Sequence, residues 1–337
     1  MLSFARIKSG QRWSCDTRTM AYPYPITEPY SSGKLDVTGG HKVHWEVAGN
    51  PDGKPAVLLH GGPGSGSTPG HRRMFNPDKY MIVQFDQRNC GQSTPNAGEP
   101  HIDLSTNTTQ HLIADIEQLR TTLDVNRWLV WGGSWGTTLG LAYAQTHPGS
   151  VTELLLGNVV TTTRAEVEWV TRGMGRIFPE RWQDFHDFPP PDSRDGELAS
   201  AYNRILMDPD PGVHEPAAMA WCDWEDTHVS IASGYEAFLR NQDPRFRLCF
   251  SRLVTHYWAN AGFLEDGQLL RDTGKLAGIP TFLAHGRRDI SAPANVPVTL
   301  ATSIPDAELF IAETEGHGGP TQYRWMTDIA DRLASRG

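Results

Sequence analysis

The stretch Gly132-Gly133-Ser134-Trp135-Gly136 constrains this chain more tightly than any other. Arg127-Trp128-Leu129-Val130-Trp131 precedes it, a compact apolar run whose β-favouring residues predict a buried strand. Thr137 to Gln145 follows and predicts a helix stopped by Pro148. A serine within G-x-S-x-G, where a strand turns sharply into a helix, is a nucleophile elbow. Ser134 must then adopt a strained backbone that lifts its hydroxyl above the sheet. Gly132 and Gly136 permit this, because a side chain at either would strike the crossing strand or helix.

An elbow needs a parallel sheet around it, and the flanking sequence supplies one. Leu35-Asp36-Val37 and Val43 to Val47 predict a hairpin turning at Gly39-Gly40. Ala56-Val57-Leu58-Leu59 and Met81-Ile82-Val83-Gln84-Phe85 are short apolar runs of the kind buried on both faces. Thr108 to Leu123 carries Ile113, Ile116, Leu119 and Leu123 on one helical stripe. Strand and helix in alternation make an α/β fold, a mostly parallel central sheet flanked by helices. The first run ends in His60-Gly61-Gly62-Pro63-Gly64, where the backbone can approach a ligand closely. The loop lacks the spacing and the lysine of a phosphate-binding loop. The amide N–H groups of Gly62 and Trp135 are therefore expected to form an oxyanion hole. Asp86 and Arg88, in the loop after Phe85, are expected to brace these loops, and Cys90 to be a small buried residue.

The pattern breaks after Val151 to Leu156. From about 161 to 270 buried strand runs give way to helical segments, several of them rich in Trp, Arg and Glu. The sheet resumes at Ile279 to His285 and at Glu308 to Ile311. Such an insertion would sit over the carboxyl ends of the strands, where open α/β sheets bind ligands. The expected organisation is an N-terminal extension (1–29), a first core part (30–160), a helical cap (161–270) and a second core part (271–337).

A nucleophilic serine needs a base, and the base needs a carboxylate to fix its tautomer. Asp289 follows the run ending at His285, and His317 is the only histidine after it. Their order, serine then aspartate then histidine, suits this architecture. Ser134, Asp289 and His317 are the expected catalytic set, with His285 read as a packed core residue.

Composition narrows the remaining options. A formal net charge of -9 with no basic run excludes a phosphate-binding footprint, so no nucleic acid is expected. The 4 cysteines, Cys15, Cys90, Cys222 and Cys249, form no C-x-x-C pair, which favours a reducing cytoplasm. No run is long and apolar enough to span a membrane. Met1 to Met20 has no hydrophobic segment between its basic residues and is expected to be a mobile extension. No H-E-x-x-H or similar cluster suggests a metal, and no cofactor is expected.

These motifs together resemble the proline iminopeptidases (prolyl aminopeptidases) of the α/β-hydrolase fold, from about Tyr30 to the last helix. The resemblance rests on His60 to Gly64, Asp86-Gln87-Arg88, Gly132 to Gly136, Gly286-Arg287 before Asp289, and Gly316-His317. It implies a serine hydrolase that removes an N-terminal residue, usually proline, from small peptides through an acyl-enzyme. It also implies that Glu225, in Trp221-Cys222-Asp223-Trp224-Glu225, receives the substrate's ammonium. The family's second amine-binding glutamate falls at Val254, and its aromatic walls at Val160 and Val170. These four positions are the expected substrate pocket. Loss of one carboxylate weakens ammonium recognition. An esterase or amidase acting on an N-substituted small molecule is thus a competing expectation, and a non-catalytic small-molecule receptor a third. None of these motifs fixes an oligomeric state.

Overall fold

The computed structural model describes residues 7–9, 24–229 and 239–335. Within them nine strands form one sheet: β1 (Ile7–Ser9), β2 (Pro29–Val37), β3 (His41–Gly49), β4 (Lys54–Leu59), β5 (Tyr80–Phe85), β6 (Trp128–Gly133), β7 (Val151–Gly157), β8 (Thr281–Gly286) and β9 (Glu308–Ala312). Their order is β1-β9-β8-β7-β6-β4-β5-β3-β2. The β2–β3 and β3–β5 pairs are antiparallel, and every other pair is parallel. The hairpin turns at Thr38–Gly40 and sets Leu35 opposite Val43.

The central strands bury both faces because alternate side chains point to opposite sides. Val57 and Leu59 of β4 join Val130, Leu154 and Leu156 beneath the helices Thr109–Thr122, Trp135–Thr146 and Asn295–Ser303. Ala56 and Leu58 join Leu129, Leu155 and Phe282 beneath the last helix, Pro320–Ala334. Strands covered on both sides have no polar alternation, which explains their continuous apolar runs.

Between β7 and β8 the elements among the described residues are helices. Arg164–Thr171, Pro179–Asp187, Leu198–Leu206, Pro211–Val229 and Pro244–Ala259 pack around their own buried cluster, which includes Phe185, Tyr202, Trp221 and Trp224. The chain rejoins the core before Leu270, at about residue 261. Thr109 Oγ1 donates to the Gly262 carbonyl, and Leu269 and Leu276 lie in the main core. β8 then pairs directly with β7, Leu154 opposite Thr281.

The N-terminal segment differs from the expected mobile extension. Ile7–Ser9 adds a parallel strand to β9, Ile7 opposite Leu309. An edge strand leaves a row of unpaired N–H and C=O groups, and Ile7–Ser9 uses that of β9. The rest of Met1 to Met20, Cys15 included, lies outside the described residues. No described helix is long and apolar enough to cross a membrane.

Candidate active site

Ser134 stands alone between β6 and the helix Trp135–Thr146, with φ 55° and ψ -124°. Positive φ in a residue with a Cβ costs energy, and the surroundings must hold it there. Its own N–H donates to the Gly157 carbonyl at 3.0 Å, and Thr137 Oγ1 donates to its carbonyl at 2.7 Å. The flanking glycines are required by close approach. A Cβ on Gly132 would lie 2.2 Å from the Gly136 carbonyl oxygen, and one on Gly136 2.1 Å from that of Leu59.

The loops after β8 and β9 bring Asp289 and His317 to this serine. His317 Nε2 is 3.1 Å from Ser134 Oγ, and its Nδ1 is 2.8 Å from Asp289 Oδ2. Asp289 Oδ1 accepts the Ala292 N–H at 3.0 Å. Burial alone would raise the Asp289 carboxyl, but His317, His285 and the Ala292 N–H together hold it below the usual range. His317 titrates above its ordinary value: burial lowers it, and Asp289 and Glu225 outweigh that effect. His285 is fully buried, taking the Val159 N–H on Nδ1 at 3.0 Å and facing the Ala292 carbonyl through Nε2 at 2.7 Å. A serine, a neutral imidazole and an ionised aspartate so arranged can move a proton off the hydroxyl as it attacks a carbonyl.

Gly62 and Trp135 line the same recess as Ser134. The Trp135 amide opens its helix, so no carbonyl four residues earlier within that helix claims its N–H. Gln87 ties their two loops together. It takes the Trp135 indole N–H on Oε1 at 2.9 Å and donates Nε2 to the His60 carbonyl at 2.9 Å. The bracing expected of Asp86 and Arg88 is thus divided differently. Asp86 accepts from Ser67 and from the Gln92 N–H, holding the turn after the glycine loop. Arg88 instead forms a buried two-point pair with Asp115, at 2.6 and 2.7 Å. Cys90 is fully buried, and burial pushes its thiol well up.

Two cavities meet at Ser134, His317 and Glu225. One, about 480 Å³, also involves His71, Trp131, Arg240 and Tyr323. The other is a recess of about 60 Å³ walled by Val160, Val167, Val170 and Trp258. Glu225 is nearly buried, and desolvation pushes its carboxyl up to about 7, against the opposing charges of His317 and Arg240. Its Oε2 has no hydrogen-bond partner among the described residues. Glu166 also lines the recess, but its oxygens are committed to Thr161 and Thr163 at the start of their helix.

Of the four expected pocket residues, Glu225, Val160 and Val170 line the recess and Val254 does not. Val254 is fully buried within the cluster of the inserted helices, where its short side chain packs and stops. Sequence reasoning missed Gln87, Trp258 and His228 in and around the site. His228 follows Glu225 by three residues, a spacing that places both on one helical face and could have revealed it.

The chain matches the family model described as alpha/beta hydrolase fold over residues 54–201. It is 52% identical over 319 residues to a probable proline iminopeptidase of Streptomyces coelicolor (strain ATCC BAA-471 / A3(2) / M145), covering 93% of this chain and 98% of that one. It is 42% identical over 296 residues to a proline iminopeptidase of Arabidopsis thaliana, covering 87% and 77% respectively. A crystal structure of proline iminopeptidase from Mycobacterium smegmatis superposes with a TM-score of 0.58 at 20% identity, covering 90% and 97%. A bromoperoxidase from Bacillus anthracis does so at 0.62 with 18% identity, covering 91% and 100%, so these superpositions speak to fold alone.

Proposed function

Since the chain belongs to the proline iminopeptidase family of the α/β-hydrolase fold, we propose that it is a serine aminopeptidase releasing an N-terminal proline from small peptides. Ser134 Oγ attacks the carbonyl carbon of the first residue while His317 Nε2 takes its proton. Asp289 keeps the other proton on Nδ1 and stabilises the imidazolium that forms. The Gly62 and Trp135 N–H groups receive the negative charge developing on the carbonyl oxygen. His317 then passes its proton to the departing peptide nitrogen, and water releases the acyl group by the same path in reverse.

One observation carries the exopeptidase reading: a small apolar recess beside Ser134 is lined by the nearly buried carboxylate of Glu225. At about 60 Å³ the recess suits one small residue, and the larger cavity across Ser134 suits the leaving peptide. Inserted helices between 164 and 259 act as a cap, supplying Glu225 and the recess walls Val167, Val170 and Trp258. A cytoplasmic location is part of the proposal, supported by the free, buried thiols of Cys90, Cys222 and Cys249.

The test compares prolyl 4-nitroanilide with its N-acetyl counterpart and the matching esters. The free imino substrate should be cleaved and the blocked anilide much more slowly, with a fluorophosphonate labelling Ser134. Equal turnover of the blocked and free anilides would favour an amidase of N-substituted small molecules instead.

A further inference from the structure

Glu225 and His228 lie one turn apart near the end of the helix Pro211–Val229, with side chains on one face. Glu225 Oε2 and His228 Nε2 are 3.8 Å apart. Both residues line the recess beside Ser134, and neither of these atoms has a hydrogen-bond partner among the described residues. His228 is only 2% exposed, so its ring has no solvent to turn to.

The other side of the ring sets its tautomer. Ser291 Oγ lies 2.9 Å from His228 Nδ1, and its hydroxyl donates to the carbonyl of His228 at 3.2 Å. Both contacts are satisfied together only when Nδ1 carries the proton and donates to Ser291. A hydroxyl turned to Nδ1 instead would leave two oxygens facing each other, acceptor against acceptor. Nε2 therefore presents a lone pair to the recess. Burial, helped by the charge of His317 and opposed by that of Asp289, pushes the imidazole down to about 3 and keeps it neutral.

A carboxylate oxygen and an imidazole lone pair side by side in a largely apolar recess repel unless a donor bridges them. The secondary ammonium of an N-terminal proline has two N–H groups, one for each. At an ordinary charge-assisted distance of about 2.8 Å, a single nitrogen reaches both atoms. An N-acylated proline has no N–H to offer. We propose that His228 Nε2 is the second acceptor for the substrate's N-terminal ammonium, working beside Glu225. This deepens the reading of the site as a proline aminopeptidase and rests on it.

Prolyl 4-nitroanilide and cyclopentanecarbonyl 4-nitroanilide differ only by NH2⁺ for CH2, so the ratio of their kcat/KM isolates amine recognition. His228→Leu should lower that ratio by about 10- to 100-fold, chiefly through KM for the prolyl substrate, as expected for losing a hydrogen bond to a charged group. His228→Gln, whose amide oxygen can stand near the position of Nε2, should recover much of the loss. Ser291→Ala should lower the ratio by about threefold by freeing the tautomer. An unchanged ratio in His228→Leu, or one that Gln does not restore, overturns the assignment. If His228→Leu does not fold, Ser291→Ala against the parent decides it, and an unchanged ratio in that variant overturns it. A parent that turns over neither anilide overturns the proposed function, and with it this assignment.

Discussion

Trp135 donates its indole N–H to Gln87 across 2.9 Å, so the residue after the nucleophile is anchored to the loop following β5. The same amide reaches the His60 carbonyl, two residues before Gly62, which couples the two proposed oxyanion donors. Gln87→Leu should lower kcat by about tenfold with little change in KM, because misplaced donors weaken the transition state more than the bound substrate. It should also cost about 1–3 kcal/mol of stability, since buried polar groups lose their partners. Steady-state kinetics and urea unfolding check both, and an unchanged kcat counts against the coupling.

Ser134, His317 and Asp289 form one hydrogen-bonded chain and should act as a unit. Alanine at any of the three should lower kcat by about three orders of magnitude or more while the protein stays folded. The double variant Ser134→Ala/His317→Ala should be hardly slower than either single one. Near-normal turnover in folded Ser134→Ala, or a fluorophosphonate found on another side chain, argues against the mechanism.

The Arg88–Asp115 pair is a stability feature, with both side chains buried and Arg88 further held by Thr106 and Thr38. Removing one partner strands the other's charge away from water. Asp115→Ala should destabilise the protein by about 3–5 kcal/mol. Because neither Arg88 nor Asp115 lines a cavity at Ser134, kcat of the folded fraction should stay near that of the parent. A loss in urea unfolding below about 1 kcal/mol contradicts this account.

Much of the fold could be read from the sequence because its signals are local. A strand covered on both faces must be apolar throughout, as Ala56 to Leu59 are, and an elbow must have small residues where Gly132 and Gly136 approach other backbone. The positions of Ser134, Asp289 and His317 were legible because each follows a recognisable strand. Depth within the inserted helices was not. Val254 and Trp258 lie four residues apart on one helix, yet only Trp258 is long enough to reach the recess. Periodicity gives the face of a helix but not how far a side chain extends from it. The reach of Gln87 to Trp135, 48 residues away, and the pairing of Ile7–Ser9 with β9 are long-range relations that local patterns do not carry.

The last prediction concerns pH. The productive enzyme needs His317 neutral as base and Glu225 ionised as amine anchor. Glu225 titrates at about 7, chiefly through burial. Burial would lower His317, but Asp289 and then Glu225 raise it above the ordinary 6.5. Both groups therefore gain protons as pH falls, Glu225 at about 7 and His317 above its ordinary value, and both protonations inactivate. The acid limb of kcat/KM should be steeper than a single proton allows and should begin above pH 7. Glu225→Gln removes one of the two protons, so the limb should become shallower. It also removes a negative charge that raises His317, so the midpoint should move to lower pH. Asp289 stays ionised over this range, its carboxyl being held below the usual value by His317 and its hydrogen bonds against the pull of burial. The measurement is kcat/KM for prolyl 4-nitroanilide from about pH 5 to 9 in the parent and in Glu225→Gln. A limb whose slope and midpoint are the same in both proteins would show that Glu225 neither binds the amine nor shares a field with His317.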